Sequence, residues 1–277
     1  MKKVNALILT GFGLNCDNET AHVFELAGAK AHRVHINTLI SGKVKLEDFH
    51  ILALGGGFSW GDDHGGGVIQ ALKMKNHFGE DLLSFVAQGK LIIGICNGFQ
   101  ALVNLGLLPG LDKEYTRRSV SVTFNDCGNF RDQWVHLAAN KNSPCVFTKD
   151  IDMADYPVRH GEGKFIASKK VVDALLEQNQ VVFQYADKNG QAADGAFPLN
   201  PNGSLADIAG ICDPTGKIFG LMPHPEAYSH FTNHPDWTRK SQLLKREGKT
   251  LDQEMTIGVK LFENGVDYIK ETFFLEP

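Results

Sequence analysis

Leu91-Ile92-Ile93-Gly94-Ile95-Cys96-Asn97-Gly98-Phe99-Gln100 decides the fold of this 277-residue chain. Leu91 to Ile95 reads as a strand buried on both faces, and Phe99-Gln100-Ala101-Leu102-Val103 begins a helix. Between them lies a turn with Cys96 at its apex and a glycine two residues to either side. So abrupt a turn strains the apical backbone and brings the flanking residues too close for side chains, which is the geometry of a nucleophile elbow. At the start of the following helix, free N–H groups and the helix dipole favour a thiolate and can hold a developing oxyanion. Gly-x-Cys-x-Gly alone also admits a buried structural cysteine in any βα loop, so the rest of the chain has to decide.

Upstream, a βαβ rhythm leads into this stretch. Val4 to Thr10 reads as a first strand, Asp17 or Asn18 as the cap of a helix running through Leu26, and Gly28 as its stop. Val34-His35-Ile36 reads as a second strand and Phe49 to Leu54 as a third. The third strand ends in the glycine loop Gly55-Gly56-Gly57-Phe58-Ser59-Trp60-Gly61-Asp62-Asp63-His64-Gly65-Gly66-Gly67, ahead of a helix from Val68 to Gln88. Crossover helices imply parallel strands, with a ligand site outside their carboxyl ends, where both glycine turns fall. Downstream, Ser119 to Phe124 and Trp134 to Leu137 alternate with period two, as antiparallel strands do. Val158 to Phe165 suggests strand, loop and strand; Val171 to Asn179 suggests a helix and Val181 to Ala186 a strand. Ile208 to Cys212 and Lys217 to Met222 flank the turn Asp213-Pro214-Thr215-Gly216, a hairpin signal. The prediction is an α/β fold with a mostly parallel central sheet and additional antiparallel strands. No repeat or linker divides it, so residues 1–277 are expected to form one domain, with 227–277 a C-terminal helical extension.

Composition narrows the function. A net charge of −4 with mixed signs lacks the basic footprint that nucleic acid selects, and no segment reads as membrane-spanning. The basic start and short apolar run that meets Gly11-Phe12-Gly13 have no small-residue cleavage site and read as a strand. Five cysteines (Cys16, Cys96, Cys127, Cys145 and Cys212) without a Cys-x-x-Cys pair argue against a disulfide framework and a zinc site and favour a cytoplasmic setting. The triple glycine has neither phosphate-loop nor dinucleotide spacing, so no nucleotide site is expected.

A thiolate nucleophile needs a base, and the base needs an orienting group. His224-Pro225-Glu226 offers both, because Pro225 biases His224 toward an extended backbone in which residues two apart share a side. The competing reading is a surface His-Pro-Glu turn. The order nucleophile, histidine, acid differs from that of α/β-hydrolases, where the acid precedes the histidine. Backbone N–H groups of Gly57 and Asn97 are the natural oxyanion donors.

Gly94 to Gln100 with His224-Pro225-Glu226 resembles the signature of the class I, triad-type glutamine amidotransferases. Further stretches resemble, more narrowly, the glutaminase subunits of phosphoribosylformylglycinamidine synthase. They are Asn15-Cys16-Asp17, Gly56 to Asp62, His160-Gly161-Glu162-Gly163, Asn200-Pro201-Asn202-Gly203-Ser204, Ile208 to Ile211 and Gly220 to Glu226. The resemblance implies a flavodoxin-like sandwich in which Cys96, His224 and Glu226 hydrolyse glutamine through a thioester. Gly57, Asn97 and Gln100 would serve the substrate, with Gly161 and Glu162 near its α-substituents. It further implies no cofactor in this chain, ATP and Mg²⁺ on a large synthetase subunit, and a small bridging subunit as second partner. Alternatives are another class I amidotransferase, a cysteine amidohydrolase of the same fold, or a non-catalytic binding subunit. Asp63-His64-Gly65-Gly66-Gly67 departs from the family loop, which carries an aromatic and an arginine there, and the tail after Glu226 is longer than in the compact subunit.

Overall fold

The computed structural model describes residues 3–249 and 256–274. The first half alternates strand and helix: β1 (Asn5–Thr10), α1 (Asp17–Leu26), β2 (Lys30–His35), α2 (Ile36–Ile40), β3 (Ile51–Leu54), α3 (Val68–Ala87), β4 (Leu91–Ile95) and α4 (Asn97–Leu105). The second half is richer in strands: β5 (Val120–Phe124), β6 (Arg131–Ala139), β7 (Met153–His160), β8 (Glu162–Ala167), α5 (Lys169–Glu177), β9 (Val181–Ala186), β10 (Ile208–Cys212) and β11 (Ile218–Leu221). Two further helices, α6 (Trp237–Arg246) and α7 (Ile257–Phe273), complete the described chain.

Nine strands form one sheet in the order β2-β1-β3-β4-β11-β10-β9-β6-β7, and β5 pairs with β8 in a separate two-stranded sheet. From β2 to β11 the pairings are parallel; from β11 through β10, β9 and β6 to β7 they are antiparallel. The uninterrupted apolar run of β4 places it inside the parallel half, where both faces are covered. Strand β11 joins the halves: it runs parallel to β4, with Leu221 opposite Ile95, and antiparallel to β10, with Leu221 opposite Gly210.

This register fixes the functional edge. Leu54 lies opposite Gly94 and Leu9 opposite Leu54, so β1, β3, β4 and β11 end side by side. The loops that follow them carry Cys16, Gly57, Cys96 and His224 to one place.

Local differences from the sequence reading have identifiable causes. Helix α1 is capped by Cys16 without a side-chain hydrogen bond, because Asp17 is already helical and its carboxylate accepts from Arg33 Nε at 2.7 Å. Ile36 starts α2 instead of ending β2, with the His35 ring accepting from the Asn37 N–H. Helix α7 packs inward through Val259, Leu261, Phe262, Val266 and Ile269, and Phe262 meets Phe24 of α1 edge to face at 4.9 Å. Part of the extension expected over 227–277 therefore belongs to the core, while α6 buries none of its residues. Residues 250–255 and 275–277 of that extension lie outside the described residues.

Candidate active site

Cys96 caps α4 with φ 52° and ψ −107°, a conformation an L-residue adopts only under constraint. Its N–H donates to Leu221 O at 2.8 Å, tying the apex of the turn to β11. The glycines make the turn possible. A Cβ on Gly94 would stand 2.6 Å from Gly98 O, and one on Gly98 would fall inside the van der Waals radius of Leu54 O. Gly98 thus keeps α4 clear of β3, a neighbour that local spacing does not reveal.

Three residues beyond Leu221, His224 is held by its own N–H donating to Pro157 O at 2.8 Å. Its Nδ1 lies 2.6 Å from Glu226 Oε1, with both side chains about 2% exposed. The pair forms through a 3-10 turn over Pro225–Ala227, with Pro225 in its first position, rather than through the extended segment expected from sequence. Burial alone would lower the imidazole pKa, but Glu226 and Cys96 outweigh it and hold it well above its ordinary value. Helix α7 braces this turn: a Cβ on Gly258 would overlap Pro225 O and Tyr228 O, and Tyr156 Oη donates to Ile257 O at 2.9 Å.

A second thiol shares the imidazole. Cys16 Sγ lies 4.0 Å from His224 Nδ1, and burial pushes its pKa up despite that contact, which favours the protonated thiol. Cys96, by contrast, occupies the elbow, and its Sγ lies 3.8 Å from Arg159 O.

Gly57 sits at φ 148° against the loop after β1, where Phe58 N–H donates to Gly13 O and Asn15 N–H to Gly56 O. The Gly57 and Asn97 N–H groups have no hydrogen-bond acceptor among the described residues. The Asn97 side chain is a hub: its Oδ1 accepts from Ser59 N–H at 3.2 Å, and its Nδ2 donates to Asp62 Oδ1 at 2.8 Å and Gln100 Oε1 at 2.9 Å. Gln100, expected to touch substrate, is buried, and its Nε2 donates to Glu162 O at 2.7 Å. Both ends of its amide are therefore engaged within the chain. Glu162 Oε2 accepts from Gly66 N–H at 3.3 Å. A Cβ on Gly161 would meet nothing within 4 Å, so that glycine is not sterically required.

Residues that the sequence motifs contained without an assigned role complete the frame. The loop Asp63 to Gly67 packs inward: a Cβ on Gly66 would overlap the Gln100 amide, and one on Gly67 would stand 2.5 Å from Ala101 N. Burial and the Glu162 charge push the Asp62 carboxyl up to about 6, against the opposing hydrogen bond from Asn97. His160 is buried with Nδ1 3.0 Å from Asn125 Oδ1, and burial together with His224 depresses its pKa to about 3. Asn200-Pro201-Asn202-Gly203-Ser204 braces β8 from below: Asn202 Nδ2 donates to Gly163 O at 2.9 Å, and Ser204 Oγ accepts from Phe165 N–H at 2.9 Å. The signal for this frame was present as the density of glycine and asparagine, without a spacing that assigned partners.

Comparison with known proteins agrees with this geometry. Residues 3–269 match the model of the CobB/CobQ-like glutamine amidotransferase domain. The chain is 45% identical over 265 residues to phosphoribosylformylglycinamidine synthase subunit PurQ of Methanococcus maripaludis, covering 96% of this chain and 97% of that one. It is also 45% identical to the PurQ subunit of Dehalococcoides mccartyi over 271 residues, covering 98% and 100%. Among solved structures, a chain of PurLQS from Thermotoga maritima superposes with a TM-score of 0.69 at 27% identity, covering 97% and 100%. A glutamine amidotransferase from Thermotoga maritima shares the fold, with a TM-score of 0.54 at 15% identity and 98% and 100% covered.

Proposed function

The chain belongs to the CobB/CobQ-like glutamine amidotransferase family, and we propose that it is the glutaminase subunit of phosphoribosylformylglycinamidine synthase. It hydrolyses glutamine to glutamate and ammonia, and the ammonia is delivered to a synthetase subunit. That partner converts formylglycinamide ribonucleotide to formylglycinamidine ribonucleotide with ATP in purine synthesis. The observation that carries the reading is the register of β4 and β11, which sets a strained Cys96 beside the buried His224–Glu226 pair.

In this reading the Cys96 thiolate attacks the side-chain carbonyl carbon of glutamine. A C–S bond forms, and the carbonyl oxygen takes negative charge toward the Gly57 and Asn97 N–H groups, which have no other acceptor among the described residues. As the C–N bond breaks, His224 gives its Nε2 proton to the departing nitrogen, leaving a thioester and ammonia. His224 then takes a proton from water, whose oxygen displaces the thiolate and releases glutamate. Glu226 keeps the imidazole oriented through Nδ1 and stabilises its positive charge. Gln100, with Asn97, Asp62 and Glu162, ties the glycine loop to α4 and β8, and the Gly161-Glu162 segment lies near the α-substituents of glutamine.

This acyl transfer is complete with thiol, imidazole and backbone donors, so no cofactor is assigned to this chain, and ATP with Mg²⁺ falls to the large synthetase subunit. A small bridging subunit completes the assembly. Among the described residues no helix is long and apolar enough to cross a membrane, and the five cysteines are all unpaired. The unpaired thiols support a cytoplasmic setting.

Glutamate release with and without the synthetase subunit tests the reading. Cys96→Ala is expected to abolish hydrolysis and to leave ammonia-dependent synthesis by the assembled enzyme in place. Undiminished hydrolysis in the variant would overturn it.

A further inference from the structure

The hydrolytic reading leaves Cys16 without a task, although its thiol sits at the centre of the site. We propose that Cys16, His224 and Glu226 form a binding site for a thiophilic divalent cation of the zinc class, and that its occupation switches glutamine hydrolysis off. Cys16 and His224 are 208 residues apart, so a search for closely spaced cysteines does not find the site. One ligand atom from each of the three residues lies within 4.8 Å of the other two.

Around a tetrahedral zinc ion, bonds of about 2.0–2.3 Å set the ligand atoms roughly 3.2–3.8 Å apart. The observed 4.0 Å between Cys16 Sγ and His224 Nδ1 is already near that spacing, and the 2.6 Å between Nδ1 and Glu226 Oε1 has only to open slightly. A further observation points to a ligand. Glu226 Oε2 is buried without a hydrogen-bond partner among the described residues, in a residue 2% exposed. Gly56 lets the backbone close directly on these ligands: a Cβ there would stand 2.6 Å from His224 Cε1 and 3.3 Å from Cys16 Sγ, so no side chain comes between the loop and the cluster. The donor set of one thiolate, one imidazole and one carboxylate suits zinc and cobalt, whereas magnesium and calcium demand oxygen. Three protein ligands leave a fourth position for water.

Binding has a defined proton balance. The Cys16 thiol and Nδ1 of the His224 imidazolium each lose a proton to solvent, and Nε2 keeps its own. The ion then occupies the lone pair at Nδ1 and Nε2 carries hydrogen, so His224 can no longer take a proton from water. The inhibition rests on the hydrolytic reading given above; ion binding does not.

Cobalt is the probe for binding, because thiolate ligation gives a charge-transfer band in the near ultraviolet. With the full chain, the band is expected in the parent and in Cys96→Ala, and is expected to be lost in Cys16→Ala and Cys16→Ser. These two variants retain basal hydrolysis with the synthetase subunit present, and half-inhibition needs at least 10-fold more free Zn²⁺ than the parent. Chelation restores the parent. A band that survives in both Cys16 variants and disappears in Cys96→Ala overturns the proposal, as does unchanged zinc sensitivity in the Cys16 variants. The serine variant decides the matter if the alanine variant fails to fold. Because the band is read without turnover, failure of the hydrolytic reading is distinguished from failure of the site.

Discussion

Nδ1 of His224 stands 2.6 Å from Oε1 of Glu226, two residues further on, and neither side chain has appreciable contact with solvent. The acid therefore engages Nδ1 and leaves Nε2 for the proton exchange of the proposed hydrolysis. Glu226→Gln preserves the shape of the pair while removing its charge, and its amide can donate to Nδ1 and reverse the tautomer. We expect kcat for glutamine hydrolysis to fall by about 10³-fold, with KM changed little. Steady-state glutamate release checks this, and a variant within a few-fold of the parent would remove Glu226 from the mechanism.

The same pair makes stability depend on pH in a predictable direction. The folded-state pKa of His224 is raised above the unfolded value of about 6.5, so the folded protein binds the extra proton more tightly. This contribution is fully present below pH ~6.5 and is lost as pH rises through the folded pKa. In thermal melts the penalty of Glu226→Gln relative to the parent should be greatest near pH 6 and shrink steadily toward pH 9. A penalty independent of pH would mean that the pair is held by its hydrogen bond alone.

Asp62 carries a pH dependence of its own. Its carboxyl is pushed up to about 6, first by burial and then by the charge of Glu162. Relative to an unfolded value near ~3.9 the folded protein again holds the proton more tightly. Stability from this group is complete below pH ~4 and declines as pH rises to about 6. Asp62→Asn, which still offers an acceptor to Asn97 Nδ2, should melt at a higher temperature than the parent at pH 7 and no higher at pH 4. Equal melting temperatures at pH 7 would refute the desolvation argument.

At the elbow the limit is steric. A Cβ on Gly98 overlaps a backbone oxygen of the neighbouring strand, which cannot move without separating β3 from β4. Gly98→Ala should cost about 3 kcal/mol of unfolding free energy, visible as a lower denaturant midpoint. Gly161→Ala, which meets nothing, is the control expected within about 0.5 kcal/mol of the parent.

Much of this architecture was legible because strong local signals coincided. The apolar run Leu91 to Ile95, the paired glycines around Cys96 and the Asp213-Pro214-Thr215-Gly216 turn each mark their element locally, even though the neighbour that Gly98 clears lies on β3. The His224–Glu226 pairing was legible too, although the sequence pointed to an extended segment and Pro225 opens a 3-10 turn. What stayed hidden depends on contacts distant in sequence. Cys16 meets His224 only because β1 and β11 end at one sheet edge, and Gly66 meets Gln100 only because the loop folds back on α4. A chain of glycines and amides carries no record of its partners until the sheet order brings them together.

Gln100 separates two roles that motif resemblance merges. Both ends of its amide are engaged within the chain, the oxygen accepting from Asn97 Nδ2 at 2.9 Å and the nitrogen donating to Glu162 O at 2.7 Å. It therefore clasps α4 to the start of β8, across the wall on which substrate would lie. Gln100→Ala leaves the half-buried Glu162 carbonyl without this donor and loosens the Asn97 hub. The expected cost is about 1–3 kcal/mol in unfolding free energy, with a rise in KM for glutamine that exceeds any loss in kcat. A residue that only touched substrate would raise KM and leave the unfolding midpoint where it was. Measuring both quantities on the same preparation decides between them, and an unchanged midpoint would refute the clasp.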